Sequence, residues 1–230
     1  MRTIWEGFDF SYLFEMLKSV IPALICITIH ELCHGLTAYW LGDDTAKRAG
    51  RLTLNPLRHL DPMGLLMLVV FRFGWAKPVP VNMHRFQNPK QGMAITALAG
   101  PVSNVLLSLI CLFLYGLLLS VGGLQFSMSD AGWFILEMLQ TTAVLSLGFA
   151  VFNVLPIPPL DGSKVLFSVI GDESYLKLMR YERYGSIVLL LLVSTGILGK
   201  PLSAAVRFLY AHIRSLAYWA AGRVYSLFYL

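Results

Sequence analysis

Residues 21–41, IPALICITIHELCHGLTAYWL, form an apolar run long enough to cross a bilayer, with His30, Glu31 and His34 in its second half. No other feature constrains the fold as strongly. About 20 predominantly apolar residues read as a transmembrane helix, and ionisable groups at that depth are costly unless they serve a site. The spacing is H-E-x-x-H. On a helix, positions i and i+4 share one face a turn apart, so both imidazoles can reach one metal ion. Glu31 sits roughly 100° round the helix, beside such an ion rather than on it, where it can take a proton from metal-activated water.

The rest of the chain agrees with a membrane setting. Of 230 residues, 57% are hydrophobic and 13% charged, against roughly 45–50% and 25% in soluble domains. We expect an all-α polytopic membrane protein with about four to six transmembrane helices. Residues 1–230 are read as a single membrane-embedded domain with its core at 12–200. No stretch has the composition of a soluble module. The net charge of +5 is not a nucleic-acid signal, because the basic residues sit between apolar segments, where they set topology and meet anionic headgroups. Cys26, Cys33 and Cys111 all fall in apolar segments and do not read as a disulfide framework.

Residues 1–11 are short, aromatic and interfacial in character. Residues 12–41 make the first helix, ended by Gly42-Asp43-Asp44, and 42–61 are polar and basic. Residues 62–73 are apolar but too short to span, and Pro78 and Pro80 in GWAKPVPVN forbid a helix. The stretch 65–82 therefore reads as a membrane-inserted loop or short β-hairpin, a geometry tolerated only against protein or a water-filled cavity. Residues 93–121 form the second span and contain Gly100-Pro101-x-x-Asn104. After a loop at 122–130, residues 131–155 form the third span, ending in NVLPIPPLDG (153–162), where three prolines leave an unwound segment holding Asp161. A short apolar segment (163–171) and a charged loop (172–183) follow. Residues 184–199 are a fourth, short span, and 201–230 are either a last span or an interfacial helix.

Topology bears on the metal site independently. Basic residues crowd into 42–92 and 162–183 and are absent from 122–130. The positive-inside rule then places the first two regions in the cytosol, so the second halves of spans one and three share a membrane face. His30 and His34 fall in the depth band of Asn153 and Asp161. Catalytic zinc takes three protein ligands plus water, and Asp161 is the best third candidate. His59, Asp61, Cys26 and Cys33 remain alternatives, whereas Glu137 lies toward the opposite face.

His30-Glu31-Leu32-Cys33-His34, Gly100-Pro101-x-x-Asn104 and Asn153-Val154-Leu155-Pro156-Ile157-Pro158-Pro159-Leu160-Asp161-Gly162 together resemble the signature set of the site-2 protease family of intramembrane zinc metalloproteases. GRLTLNPLRHLDPMG (50–64) and GWAKPVPVN are similar to its compact prokaryotic branch, which lacks PDZ or CBS modules. The resemblance implies one Zn2+ held by His30, His34 and Asp161, with Glu31 as catalytic base. It also implies a cleft toward the cytosolic side, a transmembrane protein as substrate and residence in a prokaryotic cell membrane. Asn104 and Asn153 are candidates for contacting substrate or an oxyanion. The alternative from another class is a non-proteolytic membrane metal-binding protein or metal transporter using the same His/Asp site.

Overall fold

The computed structural model describes residues 10–64, 76–170 and 184–229. Helix α1 runs Phe10–Trp40. Its end is fixed by the chain chemistry at Gly42, whose φ of 102° only glycine adopts readily. Gly42 N–H donates to Tyr39 O at 3.1 Å and Asp43 N–H to Ala38 O at 2.9 Å, the paired bonds of a Schellman stop. A four-residue helix, α2 (Thr45–Arg48), and short 3-10 turns at Pro56–Arg58 and Met83–Arg85 follow.

Helix α3 spans Pro89–Ser127. Pro89 occupies its first position, where a missing N–H costs nothing, and Asn88 Oδ1 accepts from Gln91 N–H at 3.2 Å. The helix runs through Pro101 and breaks only at Gly123, at φ 59°. The expected loop at 122–130 is thus mostly helical, with the turn at 128–129. Helix α4 (Asp130–Asn153) starts on Ser129, whose side chain accepts from Gly132 N–H. The segment 154–160 is irregular, as three prolines require, and contains a cis Pro158–Pro159 bond. Helix α5 (Asp161–Ser168) begins on the aspartate itself. Its first turn packs backbone to backbone, since a Cβ on Gly162 would lie 2.0 Å from Val154 O.

Helix α6 (Tyr184–Ser194) is bent by 84° from α7 (Gly199–Tyr229). The expected fourth span at 184–199 is thus described as α6 followed by a turn, and it passes as a membrane crossing only together with α7, as a broken span or re-entrant pair. The described residues contain three helices long and apolar enough to span (α1, α3 and α4), or four crossings if the bent pair counts as one. Helix α3 is the central post, touching α1, α4, α5 and α7. Cys111 and Leu112 of α3, Ala143 of α4 and Ala217 of α7 form a buried cluster. Gly116 lets α7 approach closely, as a Cβ there would meet Tyr218 at 3.0 Å and Ala221 at 3.2 Å. Small residues at such contacts are how membrane helices gain dispersion contact without a hydrophobic drive. Helix α7 thus lies along the bundle rather than apart from it.

No strand occurs among the described residues. The hairpin expected at 65–82 is described only from Ala76 onward, and the readings for residues 1–9 and for the charged loop at 172–183 likewise lie outside the described residues. From Ala76 to Asn82 the chain is extended, with a single antiparallel bridge between Ala76 and Leu60.

Candidate metal centre

His30 and His34 project from one face of α1 with their rings edge to face, centroids 4.5 Å apart. Asp161, carried by the first turn of α5, brings Oδ2 to 3.1 Å from Nε2 of both imidazoles. All three residues are buried, and their ligating atoms lie within 4.8 Å of one another. Two imidazoles and one carboxylate with a position left open is the donor set of a catalytic zinc.

The surroundings fix which nitrogens can serve. His34 Nδ1–H donates to Thr96 O at 2.7 Å, leaving Nε2 with its lone pair toward Asp161. His30 Nδ1 lies 3.2 Å from the Asn104 amide. Asn104 is completely buried, and its Oδ1 has no partner in the orientation with Nδ2 on the ring. An amide's O and N are interchangeable in shape. Turned over, Oδ1 accepts His30 Nδ1–H, which frees Nε2 for a metal. A ligating histidine ordinarily has such an outer partner, holding tautomer and ring plane. Gly100 completes the cradle. A Cβ there would lie 2.4 Å from His34 Nε2 and 2.6 Å from His30 Cε1, so only hydrogen fits. Donor chemistry, outer partners and space therefore all fit a zinc ion.

The group faces a cavity of about 330 Å3, also lined by Glu31, Pro78, Val79, Val81, Asn153 and Lys164. A larger cavity of about 540 Å3 near the α3–α4 turn contains none of the ligating residues. Glu31 Oε2 accepts from Val79 N–H at 2.8 Å, so the extended segment forms one wall of the cleft beside the carboxylate. That segment is tied down on both sides of Val79. Lys77 N–H donates to His59 O at 2.9 Å, and Arg51 Nη2 donates to Lys77 O at 2.5 Å. Asn82 N–H donates to Asp43 Oδ2 at 2.6 Å.

The other candidates are placed elsewhere. His59 is buried with Nε2 on Thr53 O at 2.9 Å, and Asp61 accepts from Met63 and Gly64 N–H. Cys26 packs against Thr142 O on α4, and Cys33 joins no ligand group. Glu137 pairs with Lys18 at 3.3 Å. Asn153 lines the cavity, but its Nδ2 donates to Phe149 O at 3.0 Å. Asn104 faces His30 and is absent from the cavity lining. Sequence reasoning passed over Thr96 and Lys164, and it took Gly100 as part of the Gly100-Pro101-x-x-Asn104 motif without the reason for its lack of a side chain. A main-chain carbonyl carries no sequence signal, whereas the three-residue spacing of Lys164 from Asp161 was there to be read.

Comparison with known proteins points the same way. The sequence profile described as Peptidase family M50 matches residues 121–195. A Bacillus subtilis protein named "Putative zinc metalloprotease YwhC" is 40% identical over 176 residues, covering 76% of this chain and 80% of the relative. Proteins bearing the same description under the name Rip2 are similar too. The one from Mycolicibacterium smegmatis is 29% identical over 83% of this chain and 71% of the relative. That of Mycobacterium tuberculosis H37Rv is 32% identical over 74% and 63%. No solved structure gives a significant match.

Proposed function

Because the chain belongs to peptidase family M50, the site-2 protease family, we propose that it hydrolyses a peptide bond within or near a transmembrane segment of a membrane-protein substrate, with His30, His34 and Asp161 as zinc ligands and Glu31 as general base. Family membership makes the protein a zinc-dependent metalloprotease, and its apolar helices make it integral to the bilayer. The observation that carries the finer reading is the juxtaposition of the three-residue donor group with Glu31 in one cavity.

Zinc bound there supplies Lewis-acid polarisation of the scissile carbonyl and makes water acidic near neutral pH. The chain's residues do the rest. His30, His34 and Asp161 hold the ion, and Asn104 and Thr96 O hold the imidazoles. Glu31 takes a proton from the attacking water at a carboxylate oxygen and passes it to the leaving nitrogen. The basic residues of 42–61, with Lys77 and Arg85, support a site opening toward the cytosol of a prokaryotic cell.

A helical substrate hides its amides in i→i−4 bonds, so it must unwind before it is cut. The extended segment 76–82 suits pairing with an unwound peptide by strand addition. Val79 N–H is already committed to Glu31. Pro78 and Pro80 have no N–H, so the segment offers chiefly carbonyls and the substrate must donate. Val81→Pro is therefore the cleaner probe, because Val79→Pro also strips Glu31 of a hydrogen bond. Strand addition predicts a raised KM in Val81→Pro with zinc retained. An unchanged KM in a folded variant sinks pairing through the Val81 N–H.

The reading as a whole is tested on purified protein with a panel of transmembrane peptides and elemental analysis. Wild type should hold about one zinc per chain and cut. Glu31→Gln should keep zinc and lose cleavage, and Asp161→Ala should lose zinc. Zinc bound with no peptide cut, together with metal flux in proteoliposomes, would favour a transporter.

A further inference from the structure

We propose that Lys164 is a catalytic residue that stabilises the negative charge developing on the scissile carbonyl oxygen, an inference that rests on the protease reading above. Lys164 stands one turn after Asp161 on α5, so the two share a face. Its Nζ lies 3.4 Å from Asp161 Oδ1, the oxygen not directed at the imidazoles. The side chain is 35% exposed and lines the same cavity as His30, His34 and Glu31.

The reaction creates a need for such a group. Addition of the water oxygen to the carbonyl carbon sends the π pair onto the carbonyl oxygen, while the water's proton passes to Glu31. When the C–N bond breaks, its electron pair leaves with nitrogen, which takes the proton from Glu31. Carboxyl and amine result. Between these events the substrate bears a negative charge in a cleft already holding the Asp161 and Glu31 carboxylates. In a site shielded from bulk water that charge is far costlier than in solution, and a fixed donor is worth correspondingly more.

The other side-chain donors near the cavity are neutral and partly committed or buried, and among the described residues Lys164 is the one cationic residue that lines it. Asn153 gives one of its two amide N–H groups to Phe149 O and carries no charge. Asn104 lies behind His30, fully buried. Thr96 lines the cavity too, but its hydroxyl is almost wholly buried. The Lys164 ammonium has three protons. One faces Asp161 Oδ1, and the others remain for a substrate oxygen.

A merely structural role, in which Lys164 anchors Asp161 for the metal, predicts something different. The test compares wild type, Lys164→Met and Lys164→Arg as purified full-length protein. Three quantities are read: kcat and KM on a peptide that wild type cuts, zinc affinity by chelator competition, and affinity for a phosphonamidate peptide whose tetrahedral anion mimics the charged species. For Lys164→Met, kcat should fall about 10²–10³-fold and phosphonamidate affinity by a similar factor. KM and zinc affinity should stay within about threefold of wild type, and Lys164→Arg should recover most of the loss. Loss of zinc in step with activity would overturn the proposal in favour of anchoring. Unchanged kcat, or phosphonamidate affinity equal to wild type, would overturn it outright. If wild type itself binds zinc but cuts no peptide, the protease reading fails, and this inference fails with it.

Discussion

Gly100→Ala is the sharpest perturbation the metal centre offers. The new methyl carbon would sit 2.4 Å from His34 Nε2 and 2.6 Å from His30 Cε1. Ordinary contact begins near 3.4 Å, so the rings, the methyl or the helix must move by about 1 Å. The rings have little room. His34 is pinned by Thr96 O at 2.7 Å, on the same helix as Gly100, and His30 is backed by fully buried Asn104. Zinc–ligand distances tolerate only about 0.2 Å, so a 1 Å displacement takes at least one imidazole out of coordination. Losing an outer-shell partner alone costs about 10–100-fold in metal affinity. Displacing a ligand should exceed 100-fold, or about 2.7 kcal/mol. Overpacking a tight contact also costs about 1–3 kcal/mol of stability, so two controls are needed. Gly116→Ala crowds the α3–α7 contact far from the metal, and Gly148→Ala meets nothing within 4 Å. Chelator competition should show zinc affinity near wild type in both controls and collapsed in Gly100→Ala, with all three proteins folded by circular dichroism. Wild-type zinc affinity in folded Gly100→Ala would refute the assignment of the ligands as well as the steric reasoning.

Asn104→Ala should weaken zinc about 10–100-fold by freeing the His30 ring, measured by the same competition; an effect on kcat with zinc affinity unchanged would instead return Asn104 to an oxyanion role. Gly162→Ala drives a Cβ against Val154 O and should unseat Asp161, which zinc content per chain will report. Asp43 tests pH dependence outside the spans. Burial raises its carboxyl pKa, but hydrogen bonds from the Thr45 hydroxyl and from Asn82 and Thr45 N–H, with Arg85 nearby, hold the net value below the usual one. A depressed folded pKa means stability present above the unfolded value, near 3.9, and lost as pH falls through the folded one. The melting-temperature gap between wild type and Asp43→Asn should hold steady above about pH 5 and close below about pH 4. A gap that persists into acid would show that Asp43 acts by shape rather than charge.

The parts of this molecule legible in sequence are those governed by period and depth. Hydrophobic length marked the helices at 12–41, 93–121 and 131–155, and the helical repeat put His30 and His34 on one face. Charge asymmetry between loops placed Asp161 at their depth without reference to the motif, and the structure brings the three together. What escaped was set by the third dimension alone. Nothing in a residue's name says that the Thr96 carbonyl meets His34, or that Asn104 is spent on His30 rather than left for substrate. The bend that follows the short fourth span was not legible either, because apolarity fixes where a segment resides and not how it is oriented. Gly196 at φ 70° and an 84° bend between α6 and α7 distinguish this pair from one straight crossing.

His30 and Asp161 lie 131 residues apart in the chain, and this separation gives the ion a second consequence. A group bound by both is a cross-link between α1 and the start of α5, closing most of the fold into one loop. Cross-links of that reach act on the disordered ensemble as much as on the ordered one. Zinc should therefore raise the thermal midpoint of the whole bundle, and chelation should loosen α5 from α1 as well as stop chemistry. A protein of this design carries its own occupancy gauge, since a chain that has lost its metal is also the chain easiest to unfold.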